Sequence, residues 1–409
     1  MTLSERRISD VLDGLLRRTH LSEPSDLAAV VEDEARGIGA RDVTLHVIDY
    51  EQKQLVPLSG CGQEGAEPLS VAGTVAGRAY SSTSILQAPS PTPGVQRLWI
   101  PLLDGTDRLG VLGLSFAEAD LSDRLVAICE RYAHLVALLL VTKGNYGDTF
   151  ELARRTQPMT IASELLWSMA PPQAFATDHL VIAGFLEPCY DNGGDALDDA
   201  VDGDVLHLGV FDAMGHGLAA AGVAAFALAA YRHSRRRGCD LLETYHTMDE
   251  AVGKQFPENR FVTAVIAQLD LRTGELCWID AGHPPPLLIR GARHARVLEA
   301  RPVPPLGIEF AHAPPVISSE SLEPGDLLLL YTDGLTEARD RDGTMLTLDK
   351  LSEFIEREAS AGQTTPETLR RLRHAIIAGD RGRLRDDATA MLLEWRRGGE
   401  RDLVPQHVL

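Results

Sequence analysis

Four apolar runs in the C-terminal half of this 409-residue chain each meet an aspartate beside glycine or another turn-former. Asn192-Gly-Gly-Asp195 follows the run Leu180–Leu186. Val205-Leu-His-Leu-Gly-Val-Phe ends in Asp212 and continues as Ala213-Met-Gly-His-Gly217. Leu327-Leu-Leu-Leu-Tyr-Thr ends in Asp333-Gly334. Arg385-Asp386-Asp387 comes before Ala-Thr-Ala-Met-Leu-Leu393. A carboxylate at the end of a buried strand is costly unless positive charge neutralises it. No run of Lys or Arg flanks the first three, so the set points to hard divalent cations, which prefer oxygen ligands. Two such ions sharing a carboxylate activate water and stabilise the oxygens of an in-line displacement at phosphorus. Taken singly, each site has a plainer reading. An Asp before Gly is a turn residue, and Asp386-Asp387 after Arg383 and Arg385 is a solvated charge cluster. The argument rests on the set and its order.

The length predicts about two domains, and 44% hydrophobic residues suffice for packed interiors. A formal net charge of −20 repels phosphate backbones, which argues against a nucleic-acid partner. Cys61, Cys129, Cys189, Cys239 and Cys277 are scattered, without a CxxC pair. That argues against a disulfide framework and a zinc ribbon and predicts free thiols in a reducing cytoplasm. Met1 to Arg18 is polar and charged, with no signal-peptide core. The Ala-rich stretch Leu218–Tyr231 is shorter than the ~20 residues of a membrane span and reads as a buried helix. No membrane association is expected.

Helical spacing over residues 1–20 predicts a lead-in helix through Ile8, Val11, Leu12, Leu15 and Leu16, followed by a helix towards Ile38 capped by Ser22 or Ser25. Val43–Ile48 and Leu55–Leu58 read as paired strands, and Val71–Tyr80 as a short helix. Leu98–Leu102 and Leu109–Phe116 form a hairpin about Asp104-Gly-Thr-Asp107, and Leu121–Val141 is a closing helix. Between the halves, Leu152, Ile161, Leu165, Leu166 and Met169 are expected to form one apolar helical stripe that ends at Pro171-Pro172. A helix there is either a passive spacer or a carrier of signal. The C-terminal part, from about Asp178 to Trp395, alternates strands with helices, and Arg396–Leu409 is a short frayed tail.

The segments Val71-Ala-Gly-Thr-Val-Ala-Gly-Arg-Ala-Tyr80 and Leu98–Phe116 carry a resemblance to a GAF domain, a sensor module with a central antiparallel sheet. A dimerising or coupling domain without a ligand is the alternative for this region, and no residue here selects a ligand. In the C-terminal part, six motifs stand in the order of one family: Asn192-Gly-Gly-Asp195, Phe211–Ala221, Asn259-Arg-Phe-Val-Thr263, Asp280–Leu288, Leu322–Ala338 and Asp386-Asp-Ala-Thr389. Over about 220 residues the chain resembles the bacterial sporulation-type (SpoIIE-like) branch of the PPM metal-dependent protein phosphatases. The fold class this implies is α+β: a GAF-like domain over 1–145, a linker or regulatory helix over 146–175, a phosphatase β-sandwich of two antiparallel sheets flanked by helices over 176–398, and a tail over 399–409.

The resemblance also implies two Mn²⁺ or Mg²⁺ ions. Asp212 bridges them, Asp195 and the Ala213 carbonyl serve the first, and Asp333 and Asp386 the second. Asp195, Asp212, Asp333 and Asp386 are thus the expected catalytic residues, with Asp387 behind them or in solvent. The expected substrate is phosphoserine or phosphothreonine on a protein, in a partner-switching pathway an anti-sigma-factor antagonist. The sensor and linker are expected to control activity, with possible homodimerisation. Phe211 and Ala196-Leu197 depart from the family pattern; all four metal-ligand acids remain, so activity is expected, although Phe211 could crowd the site and lower metal affinity. These departures motivate an alternative, a degenerate domain that binds a partner under sensor control. A third reading makes ligand binding by residues 20–142 the main business of the chain. His216 is expected to pack or cap a helix rather than act as a general acid, and His283 to shape its loop.

Overall fold

The computed structural model describes residues 5–58, 67–256, 260–291, 294–301, 303–308, 314–339, 344–379, 384 and 386–396. The described residues divide into two compact units, one up to residue 157 and one from residue 158 onward.

The first unit runs α1 (Glu5–His20), α2 (Leu27–Gly37), β1 (Asp42–Ile48), β2 (Gln54–Pro57), β3 (Leu69–Ser70), α3 (Val75–Ser82), β4 (Leu86–Pro89), β5 (Val95–Asp104), β6 (Asp107–Ala117), α4 (Asp123–Gly144) and α5 (Thr149–Arg154). Its six strands form one antiparallel sheet in the order β3-β2-β1-β6-β5-β4. Alternation along β1 sends Val43, Leu45 and Val47 to one face, where they meet Leu15, Val31 and the buried stripe of α4. The other face packs Ile48 and Val111 against Tyr80 of α3. By length and composition α4 passes for a membrane span, yet half of its apolar window is buried, because it lies on this sheet.

Two local expectations fail here. Neither Ser22 nor Ser25 caps α2: a 3₁₀ turn, Pro24–Asp26, leads into it, and the Ser22 hydroxyl instead donates to the Thr19 carbonyl. The linker is not one helix either. α5 stops at Arg154, Arg155 is extended, and Pro158 brings no N–H to continue a helical ladder. Leu152 and Ile161, expected on one buried stripe, are 65% and 71% exposed. α5 turns back on the first unit: Tyr50 donates its N–H to the Arg154 carbonyl, and the Arg154 guanidinium stacks over the Tyr50 ring at 4.4 Å.

The second unit begins with α6 (Ile161–Met169), capped by the Thr160 hydroxyl, which accepts from Ser163 N–H. It continues with β7 (Ala174–Thr177), β8 (Leu180–Glu187), β9 (Asp195–Asp202), β10 (Val205–Ala213), α7 (Leu218–Arg236), α8 (Leu241–Gln255), β11 (Val262–Asp270), β12 (Glu275–Ala281), β13 (Leu287–Arg290), β14 (His294–Val297), β15 (Ser318–Ser321), β16 (Leu327–Tyr331), α9 (Asp333–Glu337), α10 (Leu348–Ser360), α11 (Thr365–Gly379) and β17 (Ala388–Trp395). Two antiparallel sheets, ordered β15-β12-β11-β10-β9 and β14-β13-β16-β17-β8-β7, share a core of Leu206, Leu208 and Val210 from one and Leu328, Leu330, Met391 and Leu393 from the other. The outer face of the first sheet carries α6, α7 and α8; that of the second carries α10 and α11. This is the expected β-sandwich flanked by helices. The all-apolar run Leu327–Tyr331 fits a strand buried on both faces, with β13 and β17 on its flanks. The described cysteines, Cys129, Cys189, Cys239 and Cys277, are free thiols; Cys61 lies outside the described residues.

Candidate metal centre

Alternation along β10 sends Leu206, Leu208 and Val210 between the sheets, and Asp212 continues that face at the strand's end. Asp195 opens β9 directly across from Asp212 in the antiparallel register, so both side chains leave the same face of the sheet as near neighbours. From the opposite sheet, Thr332 follows β16, and its hydroxyl donates to Asp195 Oδ2 at 2.7 Å while accepting from Thr389 N–H at 3.0 Å. Asp333 starts α9 immediately after Thr332, and Asp386 and Asp387 lead into β17. The two sheets therefore bring Asp195, Asp212, Asp333, Asp386 and Asp387 to one end of the sandwich, although up to 192 positions separate them in the chain.

The loops behind these acids are tightly specified. Asp387 Oδ2 accepts from the backbone N–H groups of Gly193 (2.8 Å) and Gly194 (2.6 Å). A Cβ on Gly193 would lie 2.1 Å from the Gly217 nitrogen, so only glycine fits. The Ala213 N–H donates to the Gly194 carbonyl, and the Ala213 carbonyl faces Gly194 across the same contact. Gly215 and Gly217 have φ of +94° and +76° and turn the chain from β10 into α7.

A cavity of about 510 Å³ opens here, lined by Pro188, Asp191, Asp212, Met214, Gly215, His216, Gly217, Leu384, Asp386 and Asp387. Asp212 is half-buried and Asp386 exposed at its wall, whereas Asp195, 2% exposed, lies behind it, and Asp333, though exposed, does not line it. Burial first, then the charges of Asp212 and Asp387, holds the Asp195 carboxyl well above the carboxylate range. Burial and the charges of Asp333, Asp386 and Asp387 push Asp212 up to about 7. Burial raises Asp387 to about 6 against the pull of its two glycine N–H donors, and burial with the Asp386 charge raises Asp333. Among the described residues no Lys or Arg lines the cavity.

An oxygen-only, mutually repelling donor set fits a hard divalent cation. The side chains are not drawn tightly together: among the described residues no group of three or more Asp, Glu, His or Cys closes on a single point. Asp195 is turned to Thr332 and Asp387 to the glycine amides.

Two sequence expectations are corrected. Phe211 does not crowd the acids. It alternates away from Asp212 into the core under α7, with its ring centroid 5.4 Å from that of Tyr231. Ala196 stands directly opposite it, and at Gly209 a Cβ would come 2.6 Å from its ring. The bulk of Phe211 is thus matched by Ala196 and Gly209. His216 is neither packed nor a cap: it is exposed at the cavity wall, and α7 follows Gly217 without a side-chain cap. His283 does shape its loop. It is buried, with Nε2 3.0 Å from the Tyr331 carbonyl and Nδ1 2.8 Å from the Thr263 hydroxyl. A carbonyl only accepts, so Nε2 carries the proton and Thr263 donates to Nδ1. Burial lowers this imidazole to about 4. Asp191, Thr332 and the structural part of Asp387 escape a reading of the sequence, because only strand pairing and loop contacts reveal them. Asn259, Arg383 and Arg385 lie outside the described residues.

The family model described as Stage II sporulation protein E (SpoIIE) matches residues 202–396. Protein IcfG of Synechocystis sp. is 28% identical over 138 residues, covering 33% of this chain and 21% of that protein, so the likeness spans well under two thirds of the relative's length. Among solved structures, the RsbU and RsbW domains of Rv1364c from Mycobacterium tuberculosis are 30% identical, with 54% of this chain and 61% of that chain covered and a TM-score of 0.45. The SiaA-PP2C domain of Pseudomonas aeruginosa is 20% identical, covering 57% and 94% at a TM-score of 0.48. The PP2C phosphatase domain of SpoIIE from Bacillus subtilis, with a fragment of its regulatory domain, is 15% identical, covering 95% and 94% at a TM-score of 0.44. The likeness to SpoIIE thus falls within the second unit, over residues 202–396.

Proposed function

We propose that this domain is an active, metal-dependent protein serine/threonine phosphatase. The observation that carries the reading is the gathering of five aspartates at one end of the sandwich, beside a cavity with no basic lining residue among those described. Asp212 would bridge two Mn²⁺ or Mg²⁺ ions, Asp195 and the Ala213 carbonyl would hold the first, and Asp333 and Asp386 the second. When bound, such ions supply Lewis-acid polarisation of a phosphoryl oxygen and a water acidic enough to attack at neutral pH. The chain's own part is positional. Thr332 fixes Asp195 through a hydrogen bond, Asp387 ties the Gly193-Gly194 loop, and Gly215 and Gly217 set the turn behind Asp212.

The reading extends to the rest of the chain. It includes a cytoplasmic setting, a phosphorylated protein of a partner-switching pathway as substrate, such as an anti-sigma-factor antagonist, and control by a GAF-like first unit with a homodimeric chain; the sequence resemblance supports these parts, and the SpoIIE match supports the phosphatase reading of residues 202–396. Phosphate release from a phosphoserine protein and from p-nitrophenyl phosphate tests the core of it. We expect turnover with Mn²⁺ or Mg²⁺, none with EDTA, and none from Asp212→Asn. Full turnover by Asp212→Asn would sink the mechanism. The open spacing of the carboxylates is the one feature that favours the second reading, a degenerate domain that binds a partner without turnover. Under it, phosphate release stays at background with every metal.

A further inference from the structure

The cavity at Asp212 is chemically two-sided. Asp191, Asp212, Asp386 and Asp387 make one part of its lining, and Pro188, Met214 and Leu384 another. Met214 directly follows β10 and is 52% exposed; Leu218, next to the lining residue Gly217, opens α7 and is 55% exposed. Apolar side chains of this size normally withdraw from water, and here the backbone denies them that choice. The Met214 N–H is held by the Phe261 carbonyl at 3.0 Å, and the left-handed Gly215 and Gly217 fix the loop on both sides of His216. The helix that follows buries Ala220, Ala221 and Val223 instead.

We infer that Met214, with Leu218, selects the residue beside the phosphorylated one in the substrate: an aliphatic side chain there is accepted and an acidic one rejected. The occupant is a phosphoserine or phosphothreonine segment of a protein, and the inference rests on the phosphatase reading above. Two observations point to that occupant. The apolar patch is continuous with the acid wall, so a phosphoryl group at Asp212 carries its neighbouring residue onto Met214. The side chains of Pro188, Met214 and Leu384 give an aliphatic neighbour apolar contact and offer a carboxylate no hydrogen bond in exchange for its water. A thioether on three rotatable bonds adapts to aliphatic side chains of different shape.

The test uses the full chain with Mn²⁺ and three substrates: p-nitrophenyl phosphate and two phosphoserine peptides that differ only in Leu or Glu beside the phosphoserine. Wild-type kcat/KM should favour the Leu peptide by about tenfold or more. The double variant Met214→Ser, Leu218→Ser should bring that ratio towards one, and Met214→Leu should keep it. Because the readout is a ratio, a general loss of activity does not mimic the effect. Equal rates on both peptides, with p-nitrophenyl phosphate hydrolysed, would overturn the inference and leave the phosphatase reading standing, as would a preference that survives the double substitution. Inactivity towards all three substrates would remove the phosphatase reading and this inference with it.

Discussion

At the scale of single residues, the site depends on groups that do no chemistry. Thr332 is fully buried and joins the two sheets, donating to Asp195 and accepting from Thr389 N–H. Thr332→Val leaves both partners without it. It should cost about 1–3 kcal/mol in denaturant unfolding and weaken Mn²⁺ affinity, whereas Thr332→Ser retains both. Gly334 is as constrained, because a Cβ would lie 2.0 Å from the Asp387 carbonyl oxygen. Gly334→Ala should destabilise by about 1–3 kcal/mol and displace the Asp386-Asp387 segment. The acids Asp195, Asp212, Asp333 and Asp386 catch the eye in the sequence because a carboxylate beside an apolar run stands out locally, and the fold brings them to one end of the sandwich. Thr332 and Asp191 do not stand out in this way. A threonine after a strand has many uses, and its role here is set by a partner 137 positions away. Phe211 is misread for a related reason: the residue alone suggests bulk at the metals, and only the strand's alternation shows which face receives it. Phe211→Ala should therefore cost about 3–5 kcal/mol in stability, while Phe211→Leu should leave Mn²⁺ affinity near wild type.

At the scale of elements, α6 is tied to the loop that carries Asp195. Trp167 Nε1 donates to the Cys189 carbonyl at 2.8 Å, the Ser163 hydroxyl donates to the Asn192 carbonyl at 3.3 Å, and Thr160 N–H donates to the Tyr190 carbonyl at 2.9 Å. The far end of α6 is held by Arg232, which bonds both the Met169 carbonyl and the buried Asp198. Any movement of α6 is thereby felt three to six residues from Asp195. The strands and long helices are legible from periodicity, and the hairpin between β5 and β6 from its turn residues. The linker departs from its helical spacing at Gln157-Pro158, where backbone chemistry overrides side-chain periodicity. The short edge strands β3, β4 and β7 carry too few residues for alternation to show, and their pairing partners define them.

At the scale of the whole molecule, buried histidines and buried aspartates carry opposite pH liabilities. Burial lowers His46 in the first unit and His283 in the second to about 4. Each folded-state value lies below the unfolded value of about 6.5, so the stability from a neutral buried imidazole is full above pH 6.5 and is lost as pH falls through 4. For His283 that amounts to about 3 kcal/mol at most. The aspartates run the other way. Asp212 at about 7 lies above its unfolded value, so without metal the folded second unit loses stability as pH rises from about 4 through 7. Thermal unfolding should therefore show a metal-free second unit that melts lower at pH 8 than at pH 5.5, and added Mn²⁺ should reverse the order by binding the ionised acids. The division into two globular parts is legible from length, and the sandwich from the order of the motifs. The identity of the first unit is not, because its pattern of apolar residues and glycine is shared by many sheets. The central claim, a two-ion centre built by Asp195, Asp212, Asp333 and Asp386, is tested most directly by a calorimetric titration of the metal-free full chain with Mn²⁺ at pH 7.5. The account predicts two ions bound per chain and loss of that stoichiometry in Asp212→Asn. No binding at millimolar Mn²⁺, or two ions still bound by Asp212→Asn, would contradict it.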